Sequence, residues 1–254
     1  MYSVIVPAYN EEAWLPRTLL ALREAMDALD VPGDVIVVDN NSTDSTARIA
    51  REHGARVVFE PINNVSRARN AGAKVAKGRY LVFLDADTLV SPELLRKVLL
   101  HLSTGSCCGG GAQVTLDRPK RPIAQKIVGF ANRILPLRYR ILPMKAAADL
   151  FVYCLREGFD EIGGFDEGCA VGEVWFSRRL RAWGRERGLS FNVITDPPVL
   201  TSSRKFDAPR QWWFATLVHF GAFSVASVLF PFVIRSRALY NYWHQRPKTS
   251  GDGW

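Results

Sequence analysis

Residues 80–90 read "YLVFLDADTLV". A short apolar run, Leu81 to Leu84, stops, and two carboxylates follow at Asp85 and Asp87 with only Ala86 between them. The same order of parts occurs twice upstream, in "YSVIVPAYNEE" at 2–12 and "DVIVVDNNSTDST" at 34–46. Strands are expected at 3–8, 34–39, 57–59 and 80–84, because each is a short apolar run. Between them lie helical patterns. Leu15, Leu19 and Leu22 fall on one face of the first, and others cover 45–52, 65–76 and 92–102, the last opened by Ser91 as N-cap and Pro92 at the first helical position. Short apolar strands alternating with amphipathic helices define an α/β chain with a parallel sheet and crossover helices.

In open sheets of that kind, ligands bind beyond the carboxyl ends of the strands. The loops in question hold Tyr9-Asn10-Glu11, Asp39-Asn40-Asn41-Ser42 and Asp85-Ala86-Asp87. Each has a plain structural alternative: Asp39, Ser42 or Asp44 can cap a helix, and an isolated Asp-x-Asp can form a turn. Three polar loops on one edge mark a site. Two aspartates flanking a small residue suit Mg²⁺ or Mn²⁺, which take carboxylate oxygens and share their shell with substrate phosphates. "VSRARNAGAKVAKG" at 65–78 adds Arg67, Arg69, Lys74 and Lys77, with both arginines in the first turns of a helix, where anions are favoured. Cations, carboxylates and a helix start point to a metal-bound diphosphate.

Bulk properties agree. The chain has 254 residues, 48% hydrophobic and 23% charged, an ordinary globular composition. Its net charge of +8 implies attraction to phosphates, whether of nucleic acid, anionic lipid or a small molecule. Four cysteines, two adjacent at Cys107 and Cys108, match neither a zinc spacing nor a disulfide framework. No basic segment with a following apolar core precedes the first strand, so a secretory leader is not expected. A reducing cytosol is the expected compartment.

Four ordered motifs, "VIVPAYNEE", "VIVVDNNSTDST", "RARNAGAKVAKGRYLVFLDADT" and "EIGGFDE", resemble family 2 inverting glycosyltransferases over residues 2–205. The resemblance implies the GT-A fold, a Rossmann-like, mostly parallel mixed sheet flanked by helices. It implies that Pro7, Tyr9, Glu11 and Asp39 hold the base and ribose of a UDP- or GDP-sugar, with Arg67 and Asn70 beside the nucleotide. Asp87 becomes a metal ligand and Asp85 its helper, nearer the ribose, with Mg²⁺ or Mn²⁺ as cofactor. The catalytic base falls at Glu173. Many family members read Glu-Asp there, whereas this chain has Gly172-Glu173. Asp166 of "GGFDE" is the competing carboxylate, and Arg204 or Lys205 closes over the diphosphate.

Outside that core, "SRRLRAWGRER" at 177–187 is a basic helix, either a solvated face or a contact for an acidic acceptor or anionic lipid. Residues 211–234 carry no formal charge and include Trp212 and Trp213. Gly221, Ser224, Ser227, His219 and Pro231 interrupt the run, so a packed or interfacial helical segment is expected rather than a membrane span. The apolar run 123–137 is a second segment of this kind. The expected organisation is a transferase domain at 1–205 and a helical segment at 206–254, acting at the cytoplasmic face of the membrane on an acceptor that is plausibly lipid-linked, without nucleic acid. Two other readings stand beside it. A sugar nucleotidyltransferase needs a glycine-rich basic loop after the first strand, which "VPAYNEEAW" lacks; a non-catalytic nucleotide-sugar-binding protein has the glycine at 172 as its support.

Overall fold

The computed structural model describes residues 1–120, 150–169 and 172–204, with Pro122, Ala124, Gln125, Lys126, Val128 and Gly129 between the first two spans. Eight strands form one sheet. They are β1 (Tyr2–Ala8), β2 (Gly33–Asp39), β3 (Arg56–Phe59), β4 (Tyr80–Leu84), β5 (Thr88–Leu89), β6 (Cys107–Asp117), β7 (Phe151–Leu155) and β8 (Ser190–Ser202), in the spatial order β3-β2-β1-β4-β7-β6-β8-β5. The first four pair in parallel, and β7 then runs antiparallel to both β4 and β6. The first four strands lie within two residues of the positions read from the sequence. β8 is far longer than its apolar end "PPVLTSS" announces, because most of its residues are half-buried or exposed and lack a continuous apolar signal.

The helices are α1 (Leu15–Asp27), α2 (Thr46–Glu52), α3 (Val65–Val75), α4 (Pro92–Ser103), α5 (Arg156–Glu161) and α6 (Gly172–Glu186). Their starts follow local chemistry. The Ser91 hydroxyl accepts from Leu94 N at 3.2 Å, Asn64 Oδ1 accepts from Arg67 N at 3.1 Å, and Asp44 accepts from Thr46 N at 2.9 Å. On α1, Leu15, Leu19, Leu22 and Ala25 are buried with Thr18, the helical stripe that the sequence indicates.

Side chains alternate across the sheet into two cores. Tyr2, Val4 and Val6 of β1 join α1 and α4, while Ile5, Val38, Leu81 and Phe83 face α3, α5 and α6. In the second core Phe165 stacks on Phe176 with ring centroids 4.2 Å apart and meets Phe83 edge-on at 5.0 Å. This aromatic cluster seats α6 against the end of β4. Cys107, Cys108, Cys154 and Cys169 are free and buried, and burial pushes the Cys108 thiol up to about 12, so they are core side chains.

His101 on α4 bonds the Tyr153 hydroxyl at 3.0 Å, and burial, with Lys97 one turn earlier, lowers its pKa below the ordinary 6.5. The unfolded chain therefore binds the extra proton first as pH falls. Stability present above about 6.5 is lost as pH drops from there through the folded value. His101→Gln is expected to narrow the gap between urea midpoints at pH 7.5 and 5.5; an unchanged gap removes His101 as the cause.

Candidate active site

The polar loops meet beyond the carboxyl ends of β1, β2 and β4. β1 and β2 are in register to their last residues, so Pro7 lies opposite Val38 and Ala8 opposite Asp39. Tyr9, just past β1, is 41% exposed. Asn10 takes a positive φ of 53° and ties the first two loops together: its N–H donates to Ser42 Oγ at 3.1 Å, and its Oδ1 accepts from Thr43 N at 2.8 Å. Asp39 is buried and accepts from Ser42 N at 2.9 Å, so one of its oxygens shapes the turn. Asn40, which the motif reading passed over, donates to the carbonyls of Glu60 and Ile62 and joins this loop to the one after β3.

Asp87 is 6% exposed. Its Oδ2 accepts from Ser202 Oγ at 2.9 Å and pairs with Arg204 Nε at 3.1 Å, while Ser202 N donates to the Asp87 carbonyl. The end of β8 thus clamps the Asp-x-Asp turn. Arg204 also forks across both oxygens of Glu11, so a single guanidinium joins the loop after β1, the turn after β4 and the end of β8. Burial works against its charge, but Glu11, Asp87 and Asp85 outweigh burial and raise its pKa. Lys205 lies outside the described residues, as do 206–254 and most of 123–137.

The other aspartate has a different partner. Asp85 Oδ1 pairs with Arg69 Nη2 at 3.0 Å, and Arg69 Nη1 pairs with Glu173 Oε1. Arg69 is 2% exposed and Glu173 7%, with the guanidinium 5.2 Å from the Phe165 ring centroid. Charges this deep persist only when paired, and removing one partner costs about 3–5 kcal/mol. Arg67, two residues earlier, faces elsewhere, pairing with Glu60 at 3.1 Å and Glu167 at 2.8 Å. Asn70 holds the "GGFDE" loop: its Nδ2 donates to the Phe165 carbonyl and its Oδ1 accepts from Phe165 N, both at 2.9 Å. Gly164 sits at φ 69° with Asn70 Oδ1 only 2.6 Å from where a Cβ would stand, so this turn requires glycine on both counts. Asp166 is half-buried, and its carboxylate accepts from Gly168 N at 3.0 Å.

Gly172 has a packing reason. A Cβ there would fall within contact distance of Ser66 Oγ on α3 and 3.1 Å from the Asp166 carbonyl. A side chain at this position requires Ser66 to turn aside and the Asp166 carbonyl to give slightly, so the glycine has a packing explanation that is independent of activity. Gly172→Asp is expected to destabilise the chain by about 1–3 kcal/mol through overpacking. Ser66→Gly in the same chain should recover part of that loss in urea denaturation, and a Gly172→Asp variant as stable as its parent would contradict the crowding.

Among the described residues no group of three or more His, Cys, Asp and Glu could enclose a metal ion, and no helix is long and apolar enough to cross a membrane. The donor set at Asp85 and Asp87 is two carboxylates that end one strand. That fits a hard divalent cation which completes its shell from substrate oxygens rather than from a protein cage.

The mostly parallel mixed sheet flanked by helices is that of the GT-A arrangement. The Glycosyl transferase family 2 profile matches residues 3–163, more than half of the chain, and the protein belongs to that family. An uncharacterized glycosyltransferase of Mycobacterium tuberculosis (strain ATCC 25618 / H37Rv) is 38% identical over 104 residues, covering 41% of this chain and 44% of the relative. The chain therefore aligns with less than half of that protein. Among solved structures, the mannosyltransferase PcManGT from Pyrobaculum calidifontis, in complex with GDP-Man and Mn²⁺, superposes with a TM-score of 0.60 at 22% identity, covering 92% of this chain and 64% of the other. Glucosyl-3-phosphoglycerate synthase from M. tuberculosis, in complex with Mn²⁺, UDP-glucose and phosphoglyceric acid, superposes at 0.57 and 22% identity, covering 86% and 78%.

Proposed function

We propose that this protein transfers a sugar from a UDP- or GDP-sugar to an acceptor hydroxyl by a single inverting displacement. The observation that carries the reading is the line of charges Asp87, Asp85, Arg69 and Glu173, which runs from the Asp-x-Asp turn to the start of α6. In this reading the loops after β1 and β2 hold base and ribose through Pro7, Tyr9 and Asp39, with Glu11, Arg67 and Asn70 supporting their walls. Mg²⁺ or Mn²⁺ held by Asp87 and Asp85 would neutralise charge developing on the diphosphate as it leaves. Glu173 takes the acceptor proton as the acceptor oxygen bonds to the anomeric carbon, and the electron pair of the breaking bond departs with the diphosphate. Asp166 lies on the same loop system and contacts a sugar. Arg204, which would leave Asp87, or Lys205, the next residue in the chain, meets the diphosphate.

Two structures of similar fold, solved with a nucleotide-sugar and Mn²⁺, support the donor class and the cation. The reading places the transferase domain at 1–205. The charge-free run 211–234 supports a peripheral seat at the cytoplasmic membrane face and a lipid-linked acceptor. The test is release of nucleoside diphosphate from a panel of UDP- and GDP-sugars with Mg²⁺ or Mn²⁺, with the anomeric configuration of product read by NMR. Turnover with an inverted product is expected. A protein that binds and turns over no donor with either cation is not a transferase.

A further inference from the structure

We infer that Arg69 is a positioning residue that fixes the proton acceptor Glu173 relative to the donor-side Asp85, and so couples the two halves of the site; the inference rests on the function proposed above. Its side chain is almost wholly buried, and its two terminal nitrogens are divided between the carboxylates. Those carboxylates stand on the end of β4 and the first turn of α6, and the Phe165 ring of the intervening loop lies against the guanidinium. Three residues from separate segments, Asp85, Phe165 and Glu173, therefore meet on the planar group of Arg69.

The geometry calls for such a device. In an inverting displacement the base must stand on the side of the sugar opposite the leaving group, at a fixed distance from it. Packing of Phe176 and Leu180 in the second core sets the depth of α6, but apolar contact is non-directional and leaves the Glu173 carboxylate free to rotate. A rigid guanidinium fork between two carboxylates supplies the missing direction, which the flexible point charge of lysine does not. The competing role, direct binding of the diphosphate by Arg69, would place its main effect on nucleotide affinity rather than on kcat.

The test is a double-mutant cycle in the full chain, with Arg69→Gln, Glu173→Gln, the double variant and Arg69→Lys. Transfer kcat, affinity for UDP or GDP with Mn²⁺, and the thermal midpoint are measured for each. Arg69→Gln is expected to lower kcat by about 100-fold, the scale of a misaligned acid–base group, while nucleotide affinity changes by less than about threefold. In the Glu173→Gln background the same change should cost less than about threefold, because residues acting as a unit are not additive. Arg69→Lys should keep the thermal midpoint and lose about tenfold in kcat, again only when Glu173 is present. Equal costs in both backgrounds, or weakened nucleotide binding as the main effect, overturn the inference. Should Arg69→Gln fail to fold, the lysine pair decides it by the same criterion. A wild-type protein without donor turnover fails the proposed function itself, whereas active wild type with multiplicative costs fails this inference alone.

Discussion

Asp87→Asn is expected to abolish the proposed cation-dependent donor turnover, lowering kcat/KM by about 10³-fold or more, equivalent to roughly 4 kcal/mol of lost transition-state stabilisation. Asp87 lies in the turn after β4, the strand beside β1, at the point where the strand order reverses. It is nearly closed to solvent, with Ser202 and Arg204 on one oxygen. Asparagine keeps the shape and can still accept from Ser202, so the fold should persist; what it lacks is the charge that binds a divalent cation. Mn²⁺ titration followed by electron paramagnetic resonance, beside nucleoside diphosphate release, checks this directly. Normal turnover with an unaltered Mn²⁺ dependence would show that Asp87 is not the ligand.

Glu173→Gln should separate binding from chemistry. Glutamine can still accept from Arg69 through its Oε1 but cannot take the acceptor proton, so transfer kcat is expected to drop by about 10²–10⁴-fold. Donor affinity, measured by calorimetry with Mn²⁺, should change by less than about threefold, because Glu173 stands at α6 and the loops proposed to hold the nucleotide follow β1 and β2. Full transfer in this variant would move the base to Asp166, the other carboxylate of the region. Loss of nucleotide binding instead would mean that Glu173 shapes the donor pocket.

Much of the sheet was legible because its central strands are buried on both faces, and a continuous β-branched run followed by Asn or Asp has few other readings. β1 and β2 are of this type, and β4 is a continuous apolar run followed by Asp85. β6 begins "CCGGG", with little strand propensity, and is held by pairing to β7 and β8, a tertiary effect. The site divides in the same way. Asp39, Asp85 and Asp87 could be placed at strand ends from position alone. Arg69 was visible only as one cation among several, and motif matching favoured Arg67. A helical signal was nonetheless present: Ser66, Arg69, Gly72 and Ala73 form the buried stripe of α3, and an arginine on such a stripe needs carboxylate partners. Residues two apart on a helix do not share a face, which sends Arg67 to Glu60 and Glu167.

The sequence by itself determined the α/β class, the family and the strand ends at which polar loops gather, because these follow from local periodicity and short motifs. Only the tertiary structure decided which charges face one another. Arg204 reaches Asp87 and Glu11 through the return of β8, Arg69 joins Asp85 to Glu173 through the docking of α6, and Ser66 crowds Gly172 through the approach of α3. The physical reason is range: backbone preference and burial period are written within a few residues, while ion pairing and exclusion act between atoms that the fold brings together from about a hundred or more positions apart.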